Sequence, residues 1–191
     1  MTPPRLWLAR HARPLIAAGI CYGRHDVPAD ARATVQAAAA LHAALPGRLA
    51  ACWHSPLQRC EQLALEIRAL RPDLTFDPDT RLTELHFGTW EARAWSDIAR
   101  ADIDAWTGAF DSHAPGGGEP LAAMLRRVAD ALADARRAAG RAQGADVLWI
   151  THAGVARCVL WLQRHGERLP RSHEWTDAAP AFGGWATVPL G

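Results

Sequence analysis

The chain has no lysine; all 21 of its Lys/Arg positions are arginine. A Schiff-base lysine and the phosphate-gripping lysine of a P-loop are therefore excluded. Net charge is also scarce, at +1, a field too weak to argue for nucleic acid or for an anionic membrane as partner. Any anion must be bound locally. Cysteine is sparse as well: Cys21, Cys52, Cys60 and Cys158 show neither CxxC spacing nor the density of a secreted disulfide scaffold, and read as buried reduced thiols. No segment approaches the ~20 apolar residues of a membrane span, and Met1-Thr2-Pro3-Pro4-Arg5 runs into a short apolar stretch with no signal-peptide core. The expectation is a cytoplasmic protein. The nine histidines include no HExxH or other clustered ligand spacing, so no metal site is expected.

What is present is an ordinary globular composition, 49% apolar and 21% charged over 191 residues, enough for one domain spanning 1–191 with a sizeable core. Short β-rich runs, Leu6 to Leu8, Leu49 to Trp53 and Val147 to Ile150, alternate with helical patterns over Ala29 to Leu45, Pro56 to Leu70 and Pro120 to Ala139. Continuous apolar runs suit strands covered on both faces, and the alternation predicts an α/β sandwich with a largely parallel sheet. Leu121, Leu125, Val128 and Leu132 form one apolar stripe at helical spacing. Ser55-Pro56-Leu57-Gln58 reads as a helix start, with serine as N-cap, proline at the first helical position and glutamine three residues after the cap. Residues 9–28 and 83–119 are long and rich in His, Gly, Trp and Asp, the composition of functional loops; Trp95 to Ile98 and Ile103 to Phe110 can form short helices within the second. Near the end, Gly183-Gly184 precedes a strand candidate from Trp185 to Val188 that closes over the sheet.

In open α/β folds ligands gather where parallel strands end and helices begin. Three strand ends carry candidate chemistry here: Arg10-His11, the helix start with Arg59 in its first turn, and Thr151-His152-Ala153-Gly154. Each alone is an unremarkable loop histidine or solvated arginine. Together, in a parallel sheet, they bring two imidazoles and two guanidiniums to one rim. Guanidinium forks match phosphate oxygens, and an unprotonated imidazole is a good nucleophile near neutral pH. Such a pocket needs a proton donor for an alkoxide leaving group. Glu84, within Leu82-Thr83-Glu84-Leu85-His86-Phe87-Gly88-Thr89-Trp90-Glu91, is the candidate.

Arg10-His11, Ser55 to Arg59, Glu84 with Phe87-Gly88 and Trp90-Glu91, and Thr151 to Gly154, in this order across most of the chain, resemble the histidine phosphatase superfamily with its phosphoglycerate mutase-like fold. The resemblance implies a three-layer α/β/α sandwich with a mostly parallel central sheet. It also implies His11 as nucleophile, Glu84 as acid, phosphoryl binding by Arg10, Arg59 and His152 with Ala153 alongside, and no metal or other cofactor. Gly19 to Pro28 and His113 to Glu119 are most similar to the α-ribazole phosphatase branch, which dephosphorylates α-ribazole 5′-phosphate in assembly of the cobalamin nucleotide loop. Tyr22, Gly23, Arg24 and His113 are then expected to frame the substrate beyond its phosphate. Two departures stand out: Ala12, Arg13, Pro14 and Ala17 replace the usual glycine and polar run after the nucleophile, and Ala92 replaces a glycine after Trp90-Glu91. Arg13 is the candidate for any phosphate contact this removes.

A small phosphorylated metabolite is thus the expected partner, and the oligomeric state stays open, a homodimer included. The competing readings are a broad-specificity sugar or small-molecule phosphatase, a phosphoglycerate mutase, and a non-catalytic phospholigand-binding protein. The mutase is disfavoured by the chain's shortness and by the need to keep phosphohistidine from water. The intact set of Arg10, His11, Arg59, Glu84 and His152 argues against a silent fold.

Overall fold

Alternation along the strands divides the core of the molecule into two. In a computed structural model describing residues 3–191, β1 (Arg5–Arg10) directs Leu6 and Leu8 to one side of the sheet and Trp7 and Ala9 to the other. Val147 and Trp149 of β4 (Asp146–Thr151) join Leu6 and Leu8, and Leu148 and Ile150 join Trp7 and Ala9. A strand whose residues are buried on both faces needs a helical layer on each, and this is what forms. Helices α1 (Ala31–Ala44) and α2 (Gln58–Leu70) cover one face, while α4 (Leu121–Arg141) and α5 (Ala153–His165) cover the other. The stripe predicted on α4 is buried, with Met124, Ala131, Ala135 and Ala139 extending it. Met1 and Thr2, which open the N-terminal stretch considered above, lie outside the described residues.

The sheet runs β3-β2-β4-β1-β5, where β2 is Leu49–His54, β3 is Phe76–Pro78 and β5 is Trp185–Pro189. The first four strands are mutually parallel and β5 is antiparallel on β1. The expected α/β/α sandwich is therefore present, and the C-terminal strand candidate serves as its edge. β4 is inserted between β1 and β2, so consecutive parallel strands part around it, and the crevice at such a point collects ligands.

Two local readings need correction, and one element went unread. Ser55 does not cap α2: the helix starts at Gln58 after Leu57, and the Ser55 hydroxyl lies 3.3 Å from the Leu57 N–H while its principal partner is elsewhere. The second loop contains a 3₁₀ turn at Trp95–Asp97 and a helix α3 at Arg100–Gly108, earlier than the Ile103 to Phe110 pattern suggested. Here Trp106 packs on Phe87 and Trp90, Phe110 packs on Trp106, and Ile103 joins the same cluster, and this aromatic packing overrode local periodicity. Residues 153–165, not assigned from sequence, form α5, because Val155, Ala156, Cys158, Val159 and Trp161 make a helical stripe on the sheet. Among the described residues, no helix is long and apolar enough to cross a membrane. All four cysteines are free and buried.

Leu8, fully buried at the centre of the β1 face toward α4 and α5, gives the fold a direct test: Leu8→Ala is expected to cost about 2–5 kcal/mol, read as a lowered urea midpoint at unchanged slope.

Candidate active site

Strand register assembles the site. Arg10 of β1 lies opposite Thr151 of β4, so the next residue of each strand, His11 and His152, leaves the same edge of the sheet. Their ring centroids are 5.1 Å apart, and both rings are buried, at 1% and 0% exposure. On the other side of β4, His54 lies opposite Ile150, which delivers Ser55 to the same edge. The Ser55 Oγ sits 2.8 Å from Nε2 of His152, the partner that displaced its capping role. Arg59, the second residue of α2, is completely buried; its Nη1 donates to the His25 carbonyl at 3.0 Å and its Nη2 to the Gly23 carbonyl at 2.7 Å.

His11 Nδ1 is 2.7 Å from the carbonyl of Ala12. A carbonyl accepts only, so Nδ1 carries the proton and Nε2 keeps its lone pair. Burial, then the Arg59 guanidinium, pushes the His11 pKa from 6.5 to about 3, the Ala12 bond opposing them and Arg10 adding to them. The ring is thus held neutral, the form that can attack phosphorus. His152 is likewise held well below the ordinary value by burial and by the charge of Arg59. Arg10 donates through Nη1 to the Pro180 carbonyl at 3.0 Å, and its guanidinium carbon stands 3.8 Å from the Phe182 ring centroid. The Nε atoms of Arg10 and Arg59 are both buried without a hydrogen-bond partner, and both guanidiniums are close enough to act on the two imidazoles.

Glu84 faces this group from the segment that follows a 3₁₀ turn at Thr80–Leu82. The Leu82 carbonyl accepts from the Thr151 hydroxyl at 2.8 Å, fixing the segment to the end of β4. Glu84 Oε2 accepts the Gly154 N–H at 3.0 Å, and Oε1 accepts the Leu85 N–H at 2.9 Å. Gly154 is needed for this approach, since a Cβ there would collide with the Glu84 carboxylate. A carboxyl beside a neutral imidazole and two arginines can exchange a proton with a phosphate ester oxygen.

A model of the histidine phosphatase superfamily (branch 1) matches residues 6–179. The chain belongs to this superfamily. It is a phosphatase with the phosphoglycerate mutase-like fold. Among solved structures, the alpha-ribazole phosphatase from Shigella flexneri is 26% identical, with TM-score 0.75, covering 96% of this chain and 89% of its own. Two others speak to the fold alone. YhfR of Bacillus stearothermophilus is 24% identical at TM-score 0.79, over 96% and 90% of the two chains. The mycobacterial glucosyl-3-phosphoglycerate phosphatase complexed with VO3 is 22% identical at TM-score 0.78, over 96% and 92%. A search of curated proteins finds no match.

Beside Glu84 this histidine phosphatase opens into a cavity of about 220 Å³, lined among others by Phe87, Trp95, Trp106, Phe110 and Trp175. Tyr22, Gly23 and Ala153 line it too. Arg24 and His113 do not: Arg24 turns its guanidinium to the Glu84 carbonyl and to Glu119, and His113 lies in the turn after α3 with its N–H on the Ala109 carbonyl. Arg13 is exposed and lines a separate groove with Phe182. Sequence reasoning missed Arg157, which lines the cavity with its Nε on the Asp177 carbonyl at 3.0 Å. The signal was available, since Arg157 falls one helical turn beyond Ala153. Phe110, Trp175 and Phe182 had no local signal. Among the described residues, no three His, Cys, Asp or Glu side chains cluster as a metal ion requires.

Because folding lowers the His11 pKa, the unfolded chain takes up a proton that the folded one refuses once pH falls below 6.5. Stability is therefore full above 6.5 and declines as pH falls toward about 3, at up to about 1.4 kcal/mol per pH unit for this group. His11→Asn is expected to flatten that decline, measured by urea unfolding at about pH 7 and about pH 4.5.

Proposed function

We propose that this phosphatase hydrolyses α-ribazole 5′-phosphate through a phosphohistidine on His11. The observation that carries the reaction is the buried His11 ring, its Nδ1 on the Ala12 carbonyl so that Nε2 is left as the nucleophile, 5.1 Å from the His152 ring and beside two arginines whose buried Nε donors lack partners. The dianionic phosphoryl group supplies what those donors lack, and two guanidiniums balance its charge. His11 Nε2 attacks in line and forms the P–N bond as the ester P–O bond breaks, while Glu84 gives its proton to the leaving oxygen. Water then attacks phosphorus with Glu84 accepting its proton; the P–N bond breaks, phosphate leaves and His11 returns neutral. Charge stabilisation by Arg10, Arg59 and His152 supplies much of the acceleration.

The alcohol is read from the cavity. Its wall is almost wholly aromatic and aliphatic, and includes one buried indole donor, Trp106 Nε1, without a partner. An apolar cavity of about 150 Å³ accommodates benzene, so about 220 Å³ beside Glu84 suits a fused bicyclic base better than a bare sugar or glycerate. Similarity to the Shigella flexneri enzyme supports the same reading. Four buried free thiols fit a reducing, cytoplasmic setting for the reaction.

His11→Ala is expected to abolish turnover on every phosphate ester in a phosphate-release assay; near-normal rates would sink the assignment. Glu84→Gln is expected to lower kcat/KM for alkyl phosphates by about a hundredfold or more while sparing aryl phosphates, whose leaving groups need no acid; equal losses would remove Glu84 as the acid. For the alcohol, kcat/KM on α-ribazole 5′-phosphate is expected to exceed that on ribose 5-phosphate by about ten- to a hundredfold, the worth of burying one aromatic group. Equal rates on these two, on 3-phosphoglycerate and on an aryl phosphate would point to a broad phosphomonoesterase.

A further inference from the structure

The segment that carries Glu84 is gripped through its main chain by charged side chains that do not line the cavity. Arg127 of α4 donates through Nη1 to the carbonyls of Arg81 at 2.6 Å and Thr83 at 2.8 Å, and through Nη2 to the Glu84 carbonyl at 3.3 Å. Arg24, arriving from the loop after β1, donates through Nε to the same Glu84 carbonyl at 3.3 Å. Two cations on one carbonyl repel, and Glu119 lies between them. Its Oε1 and Oε2 accept from Arg127 Nε and Nη2 at 2.7 and 2.8 Å, a fork-to-fork pair, and its Oε2 also faces Arg24 Nη2 at 3.4 Å. The Glu119 and Arg127 side chains are only 13% and 15% exposed, so solvent screens this pair less than a surface bridge and its geometry is held tightly. Beyond Glu84, Glu91 Oε1 accepts the N–H groups of both Arg24 and Phe87, binding the Arg24 loop to the far end of the same segment.

A general acid acts only within about 2.6–3.2 Å of the oxygen it protonates, and an error near 1 Å in placement costs about a hundredfold. We propose that Glu119, Arg127 and Arg24 are positioning residues for Glu84: they lock the main chain at 81–84 so that its carboxyl stays against the Gly154 N–H at the mouth of the cavity. The proposal rests on the reading of Glu84 as the proton donor. It assigns Arg24 to the acid and not to the substrate, and it explains why Glu119, two residues before α4, and Arg127 on that helix face one another.

The test compares kcat/KM on ribose 5-phosphate and on p-nitrophenyl phosphate, with inhibition by inorganic phosphate, for Glu119→Gln, Arg24→Gln and Glu84→Gln. Glu119→Gln and Arg24→Gln are expected to lose about tenfold or more on the alkyl ester and to change little on the aryl ester, with phosphate inhibition unaltered. Arg24, whose side chain is 39% exposed, carries the test alone if Glu119→Gln does not fold, with thermal unfolding reporting on both. Equal losses on the two esters, or weakened phosphate inhibition with the ester ratio unchanged, would overturn the proposal by showing a general structural or a binding role. If Glu84→Gln discriminates between the esters and the other two variants do not, the positioning role is wrong while the acid stands. If Glu84→Gln itself does not discriminate, the acid reading falls and the positioning role with it.

Discussion

The parallel pairing of β1 with β4 is the constraint from which the site follows. With Arg10 opposite Thr151, the two strands end level, and one further residue on each brings the imidazoles of His11 and His152 to 5.1 Å. A slip of one residue would turn every side chain of β1 to the opposite layer, burying Leu6 and Leu8 against α1 and α2 and sending the histidine away from its partner. The two core layers thus hold the register of the site: Leu6, Leu8, Val147 and Trp149 pack on the side of α4 and α5. The site is as firm as the core because it is an extension of the same two strands.

Burial sets the electrostatics. A guanidinium with no exposure, Arg59, is sustained by two carbonyls from the loop after β1; burial first, and then its charge, lowers the pKa of both histidines. The loop therefore does two things at once: its carbonyls hold Arg59 from outside, and its Tyr22 and Gly23 wall the cavity from inside. Gly23 tolerates no side chain at this crossing, where a Cβ would meet the Leu85 carbonyl and the Glu91 carboxylate. The support of Arg59 and the wall of the cavity are in this way built on one strand-end loop.

The charged groups of the site divide by environment. Arg10 and Arg59 lie beside the imidazoles with unpartnered Nε donors, whereas Arg127 is fully engaged with Glu119 and main-chain carbonyls, and Arg24 reaches Glu119 and the Glu84 carbonyl from a partly exposed position. All four are the same residue type in a chain without lysine. A flexible ammonium could replace none of these forked contacts at equal geometry.

From the amino-acid order alone, residue type and local period determined the alternation of strands and helices, the apolar stripe of α4, and the identity of the two imidazoles, two arginines and one carboxyl that meet. Each of these is encoded within a few residues, as a run, a spacing or a chemical type at a strand end. Tertiary structure decided what depends on partners distant in the chain. It moved Ser55 from a helix cap to His152, 97 positions away, and set the Arg24 guanidinium against the Glu84 carbonyl and Glu119. It also gathered Phe87, Trp95, Trp106, Phe110 and Trp175 into one wall. A hydroxyl, a guanidinium or an indole has several acceptable partners, and only the packing of the whole chain selects among them, because desolvation makes an unmet polar group or an unfilled apolar space costly once the surrounding elements have closed.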